Sequence, residues 1–213
     1  MTTNPKTVII AFDGTAASGK GTVAKLIAKE LGYDYLDTGV MFRKVAYYCA
    51  KQGVSFCDDP AVSKLVSEID FEKDVAEEEL YTNEISELAS KIAVKENVRD
   101  QLLKTQREFA VNKKGIVVDG RDIGTVVFPE ADFKFFFDAS LEERARRRYN
   151  QLQKKEKDAT LGQMLEYLRA RDQRDKSRAI APLKRAKGSF EVDTTGLSID
   201  EVFDIVLKKI KMI

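Results

Sequence analysis

Nine consecutive residues, Gly14, Thr15, Ala16, Ala17, Ser18, Gly19, Lys20, Gly21 and Thr22, carry the clearest chemical signal in this chain. They read GxxxxGK followed by Gly-Thr. The glycines at 14, 19 and 21 let the backbone turn with its N–H groups aimed inward, and a lysine ammonium stands among them. Those amides, the positive end of a helix starting near residue 20 and the Lys20 charge would together cradle a phosphate and the phosphoryl group beyond it. The expected ligand is a nucleoside triphosphate. Many loops of this kind place a Ser or Thr directly after the lysine to ligate Mg²⁺, but here that residue is Gly21 and Thr22 comes one place later. No firm metal ligand is therefore assigned. Mg²⁺ accompanying the triphosphate is expected to be held by phosphates and water, with Asp119 or Asp13 as nearby carboxylates.

Other residue types narrow the chemistry. The chain has no histidine, so a Ser-His or Cys-His nucleophile is excluded, and catalysis must rest on carboxylates, cations, backbone amides and a metal. Cys49 and Cys57 have no partners suited to zinc or a disulfide scaffold and read as structural. A GTPase would show an NKxD motif, and the Asn112-Lys113 pair is followed by Lys-Gly. Arg171, Arg174, Asp175 and Arg178 fall at spacings that share one helical face if the helix continues through them. Asp119, Gly120, Arg121 and Asp122 follow an apolar run, where Arg121 can bind phosphate and a carboxylate can accept from an amine. Arg43 follows a helix start at Thr38-Gly39 and is placed to meet a second phosphate.

The elements that must position these groups alternate strand and helix. Residues 7–12 (TVIIAF) read as a strand buried on both faces, stopping at Asp13-Gly14. Val23, Leu26, Ile27 and Leu31 recur at helical spacing before a terminating Gly32. A short strand at 33–36 precedes a helix that stops at Gly53, and Asp59-Pro60 opens another. Residues 71–81 are acidic and weakly patterned and read as an insert. Two helices follow, around Ile85 and Val98, with Gly115 closing the helical stretch. Strands at 116–118 and 133–137 each end at an acidic residue, Asp119 and Asp138, on the sheet edge where ligands bind in open parallel sheets. Helices at 141–153 and 161–175 flank a polar link at 154–160. A last strand at 190–192 leads to a helix capped by Ser198 and Glu201. This alternation predicts an α/β fold with a central parallel sheet of five strands wound by helices on both faces.

The 213 residues, 43% hydrophobic, suit a single domain spanning 1–213, with helices and a short insert at 38–112 and basic helices at 144–178. No apolar run approaches the roughly 18 to 20 residues of a membrane span, and a strand pattern begins too early to leave room for a signal peptide. A cytoplasmic monomer without membrane or nucleic-acid partners is expected. Charge is unevenly spread: residues 68–101 hold 11 acidic and 4 basic side chains, and residues 144–187 hold 15 basic and 5 acidic. Something anionic is expected to meet the second region.

Three further segments, LDTGVMFR (36–43), VVDGRDIGTVVFP (117–129) and RDQRDKSRAIAPL (171–183), together with the GKGT loop, resemble the signature segments of bacterial cytidylate kinases in the family's order. The resemblance implies a P-loop nucleoside monophosphate kinase with a small lid, moving the terminal phosphoryl group of ATP to CMP or dCMP. It assigns Arg171 and Arg178 to phosphates, places Asp175 and Arg178 near the cytosine or the sugar, and adds Ser90 and Arg99 to an acceptor pocket containing Thr38, Phe42, Arg43, Asp119, Arg121 and Asp122. Lys20, Arg121, Arg171 and Arg178 are the expected catalytic cations. Arg144, Arg146, Arg147 and Arg148 resemble the helix that carries the lid over ATP, with Arg147 the expected contact, and Glu142 and Glu143 are spaced to pair with Arg146 and Arg147. Where the family commonly has Ser and Tyr, this chain has Thr38 and Phe42, so any hydrogen bond to that Tyr is expected to be lost. The insert is also shorter than in longer members, which predicts a more open acceptor site. Two alternatives remain: another small P-loop kinase acting on UMP, AMP or shikimate, and a nucleic-acid-binding ATPase using residues 144–187 as its footprint.

Overall fold

A computed structural model describes residues 7–152 and 160–212. The chain forms two compact units, one made of the residues up to Leu36 together with Ala110 onwards, the other of Asp37–Phe109. The first contains a five-stranded sheet of β1 (Val8–Gly14), β2 (Asp34–Asp37), β3 (Gly115–Asp119), β4 (Phe133–Asp138) and β5 (Phe190–Asp193) in the order β2-β3-β1-β4-β5. Strand β1 pairs in parallel with β3 and β4, and β4 with β5. Gly14, Asp119 and Asp138 thus lie at the carboxyl ends of the three central strands, beside the reversal in strand order where open sheets bind ligands.

Side-chain alternation divides the sheet faces. Ile10 and Phe12 of β1, Val117 of β3, Phe135 and Phe137 of β4 and Val192 of β5 bury themselves with Val23 and Ile27 of α1 (Lys20–Leu31). The same cluster takes in Val202 and Val206 of α9 (Ile199–Lys211). Phe12 is its hub, stacked on Phe135 at 5.2 Å and edge-on to Phe137 at 5.1 Å. Asp13, one residue on, is forced by the period of two to the opposite face. Helix α1 ends where the sequence predicts, at Gly32, whose φ of 63° permits the C-terminal turn. Helices α7 (Leu141–Leu152) and α8 (Leu161–Ser177) pack through Ala145, Leu152, Met164 and Leu168. The Thr160–Gln163 capping box starts α8, and that of Ser198 and Glu201 starts α9. Of the polar link at 154–160, residues 154–159 lie outside the described residues.

The second unit is helical: α2 (Thr38–Gln52), α3 (Asp59–Glu68), the short α4 (Glu77–Leu80), α5 (Asn83–Ile92) and α6 (Glu96–Glu108). Helices α2 and α5 pack together, as do α3 and α6. The insert is irregular around α4. Its backbone is gripped by buried Lys44, whose Nζ donates to the carbonyls of Phe71 and Lys73, each at 2.7 Å.

Two expectations need correction. Strand β1 runs on through Asp13 and Gly14 because both continue to pair with β4. Gly115 does not close the helical stretch; α6 ends at Glu108, and Gly115 is the first residue of β3, where a Cβ would lie 2.6 Å from the Tyr33 ring. The segment after β3 forms a single π-helical turn, Ile123–Val127, closed by Phe128 N–H donating to Ile123 O at 2.7 Å. Such turns commonly mark functional places. Among the described residues no helix is long and apolar enough to cross a membrane. Since Phe12 anchors two aromatic neighbours in a fully buried position, Phe12→Ala should lower unfolding free energy by about 3–5 kcal/mol, measured by urea denaturation.

Candidate active site

The loop between β1 and α1 is held from its outer side. A Cβ at Gly14 would lie 2.1 Å from Phe137 O, so only glycine lets the chain leave the sheet here. Thr15 N–H donates to that same carbonyl at 3.1 Å, and Thr15 Oγ1 donates to Asp138 Oδ1 at 2.7 Å. Ala17 and Gly19 adopt left-handed φ values of 61° and 85°. Ala16 O accepts from Arg144 Nη1 at 3.3 Å, while Ser18 O accepts from Arg147 Nη1 at 3.2 Å and from Thr194 Oγ1 at 2.8 Å. With no cis peptide among the described residues, the N–H groups of Ala17 and Gly19 must point the opposite way. Helix α1 has no side-chain cap and no acidic residue in its first turn, leaving its amino end positive. Amides and helix dipole together favour an anion.

Lys20 is the first residue of α1, is buried, and forms an ion pair with Asp119 at the end of β3. Tyr35 Oη donates to the other Asp119 oxygen at 3.4 Å. A Cβ at Gly21 would lie 2.7 Å from that oxygen. The glycine after the lysine therefore has a local cause: Asp119 occupies the space that a Ser or Thr side chain would need. Thr22 is exposed.

A second charged cluster joins the turn after β3 to the end of α8. Arg121 Nε donates to Asp175 Oδ2 at 3.1 Å, and Arg178 Nη2 to Asp122 Oδ1 at 3.4 Å. Burial pushes the Asp175 carboxyl up, but the guanidiniums of Arg121, Arg171 and Arg178 outweigh it and hold the group below the usual carboxylate range. These five residues are thus brought together, although not on one helical face. Helix α8 ends at Ser177, and Arg178 is its extended cap residue, with its Nε donating to Ala181 O at 2.6 Å. Arg171 is oriented by Tyr167 Oη at 3.1 Å.

The π-helical turn that carries this cluster is pinned by Asp13. Its two oxygens accept from Ile123 N–H and Gly124 N–H, each at 2.7 Å. Burial pushes the Asp13 carboxyl up from 3.8 to about 6; the two amides and Lys20 oppose the rise, and Asp122 adds to it. This carboxylate is engaged with backbone.

The arginines of α7 meet the phosphate loop on its carbonyl side. Arg144 is buried and bidentate to Asp172, at 3.1 and 2.6 Å. Arg147 also donates to Thr194 Oγ1 at 2.9 Å and Thr194 O at 2.7 Å. Arg146 pairs with Glu143 rather than Glu142, because the i+3 position on this helix brings the guanidinium alongside; Glu143 serves Arg147 as well and is held below its ordinary pKa first by Arg146, with burial opposing and Arg147 adding to the drop.

In the second unit, Asp37 caps α2 by accepting from Val40 N–H at 3.2 Å, which fixes Thr38, buried at the first helical position. Phe42 and Arg43 follow on that helix, and each aromatic–cation pairing here has a different partner. The Arg99 guanidinium lies 5.6 Å over the Phe42 ring and donates to Ala93 O at 3.0 Å. The Arg43 guanidinium lies 4.5 Å over the ring of Tyr81. Ser90 is buried on α5. Tyr35, Asp138, Tyr81 and Thr194 were not singled out as site residues in the sequence. Only Asp138, at a strand end, carried a local signal.

Asp13 gives the first unit a measurable pH signature. Because its pKa is higher folded than unfolded, its contribution to stability is fully present below 3.8 and is lost as pH rises through about 6. Asp13→Asn removes that loss. From about pH 4.5 to about pH 7 the variant should gain about 2 kcal/mol of unfolding free energy relative to the parent. Identical pH profiles in urea denaturation would show that Asp13 does not titrate there.

Comparison with known proteins matches this arrangement to one family. The family described as cytidylate kinase matches residues 10–212. The chain is 41% identical over 214 residues to a cytidylate kinase of Clostridioides difficile, covering 96% of this chain and 99% of that protein. It is 43% identical over 217 residues to a cytidylate kinase of Pseudothermotoga lettingae, covering 96% of each. A solved shikimate kinase from Acinetobacter baumannii shares the fold, with a TM-score of 0.51 at 14% identity over 97% of this chain and 94% of that one. With a glycine-rich loop backed by α7, a lysine paired to Asp119 and an arginine–carboxylate cluster at the neighbouring strand end, the chain belongs to the cytidylate kinase family.

Proposed function

We propose that the loop amides and Lys20 bind the phosphates of ATP, and that Arg121, Arg171 and Arg178 meet the phosphate of CMP or dCMP, which receives the terminal phosphoryl group. The observation that carries this reading is the adjacency, at the carboxyl ends of β1 and β3, of an anion-binding loop and a cluster with more arginines than carboxylates. Two phosphorylated molecules bring about six negative charges together, and fixed guanidiniums in forked geometry are suited to hold them. Asp122 and Asp175 hold Arg178 and Arg121 in place and offer carboxylate oxygens to an exocyclic amine. Arg144 and Arg147 act through the loop by tying back its carbonyls. In the second unit, Thr38, Phe42, Arg43, Ser90 and Arg99 are assigned to the acceptor by family membership.

Among the described residues there is no cluster of three or more metal-ligating side chains. We assign Mg²⁺ to the nucleotide and water, with Asp119, adjacent to Lys20, as the carboxylate to hold a metal-bound water. Bound there, Mg²⁺ would neutralise charge on the phosphates. The acceptor is itself an ionised phosphate, so no protein base is needed, in keeping with a chain that has no histidine. The nucleic-acid reading is disfavoured because the relatives that match this chain over nearly its whole length are cytidylate kinases.

An ADP-release assay over CMP, dCMP, UMP, AMP and shikimate tests the reaction and its base selectivity together. CMP and dCMP should be the efficient acceptors, and preference for any of the other three would overturn the reading. A second expectation concerns Gly21→Ser. The added Cβ must push Asp119 Oδ2 aside and so disturb the carboxylate that pairs with Lys20, so kcat should fall by at least about tenfold with folding intact; unchanged kcat would separate the Lys20–Asp119 pair from catalysis.

A further inference from the structure

The Tyr81 ring lies beneath the Arg43 guanidinium at 4.5 Å, and its hydroxyl donates to Asp37 Oδ2 at 3.3 Å. Asp37 Oδ1 meanwhile caps α2 through Val40 N–H at 3.2 Å. Arg43 is confined from another side as well. A Cβ at Gly39 would stand 2.9 Å from Arg43 Nη1 and 3.0 Å from Asp37 Oδ1, so the guanidinium rests directly on the first turn of the helix that bears it. One carboxylate, one phenol and one bare glycine thus enclose a single cation, and the phenol is the member that comes from the insert.

Tyr81 is itself well anchored. It caps α4, donating its N–H to Glu77 O at 3.0 Å, between buried Leu80 and Thr82, whose side chain caps α5 at Ile85 N–H. Phe42, its neighbour on α2, is not available for the same task, because its ring faces Arg99 at 5.6 Å. Burial, then Asp37, push the Tyr81 phenol up to about 12, with Arg43 opposing, so it remains a hydrogen-bond donor at neutral pH.

We infer that Tyr81 is a positioning residue for the acceptor: it holds Arg43 in the orientation that grips the phosphate of the nucleoside monophosphate. The inference rests on the proposed role of Arg43. A flexible arginine must be ordered before it can bind, and a ring face with a fixed neighbouring carboxylate supplies that order in advance. Removing the ring should therefore weaken acceptor use and leave ATP use unchanged, since the groups Tyr81 engages are Arg43 and the Asp37 cap of its helix.

Steady-state kinetics of Tyr81→Leu, Arg43→Ala and the double variant test this. Tyr81→Leu should raise the KM for CMP about fivefold to tenfold, with the KM for ATP within about twofold of the parent. In the Arg43→Ala background the same change should add nothing, because its effect passes through Arg43. Tyr81→Phe keeps the ring and removes only the bond to Asp37, and should raise the CMP KM about twofold to fourfold. It is the deciding variant if Tyr81→Leu fails to fold. Additive losses in the double variant, or equal losses toward ATP and CMP, would reduce Tyr81 to a structural role. If Arg43→Ala itself leaves the CMP KM unchanged, the assigned role of Arg43 falls and the inference with it. If Arg43→Ala impairs CMP use while both Tyr81 variants do not, only the inference falls.

Discussion

A stretch of backbone can offer several N–H groups to one anion only if the carbonyls of the same peptides are turned away and satisfied elsewhere. The outer layer around the phosphate loop meets that requirement. Arg144 and Arg147 on α7, with Thr194 after β5, take up the carbonyls of Ala16 and Ser18, and Phe137 O and Asp138 of β4 fix Thr15. The left-handed residues Ala17 and Gly19 are held by these contacts against their intrinsic preference. Much of the α7–α8 pair, including the bidentate Arg144–Asp172 bridge, is a brace for nine residues of loop.

The same logic governs the cations. An arginine free to sample many rotamers binds phosphate poorly, and a buried arginine without a counter-charge is costly. Asp122 and Asp175 answer both problems for Arg178 and Arg121, and Asp119 does so for Lys20. Beneath them, Asp13 uses both oxygens to pin the π-helical turn that presents Arg121 and Asp122. The charged residues at the carboxyl end of β3 are therefore arranged in depth, each layer orienting the one above it.

Much of the fold was legible because its signals are local. Buried strands, the Gly32 stop, the Ser198 capping box and the glycine-rich loop each declare themselves within a dozen residues, and the five-strand parallel sheet follows from their alternation. What could not be read were partnerships across long separations. Asp13 meets Ile123 and Gly124 at separations of 110 and 111 residues, and Arg147 meets Ser18 across 129. Arg178 looked helical by spacing, yet the chain turns out of α8 at that residue to reach Ala181, whose φ of 48° no periodicity announces. Asp37 receives a phenol from Tyr81, 44 residues on.

The grip of Lys44 on the insert is made entirely through main-chain carbonyls, at Phe71 and Lys73. Capture of this kind is blind to the side chains it holds. Side chains at positions 71 and 73 can be exchanged without loosening this contact, but an added or deleted residue would carry a carbonyl out of reach. In this segment the contact depends on spacing more than on composition.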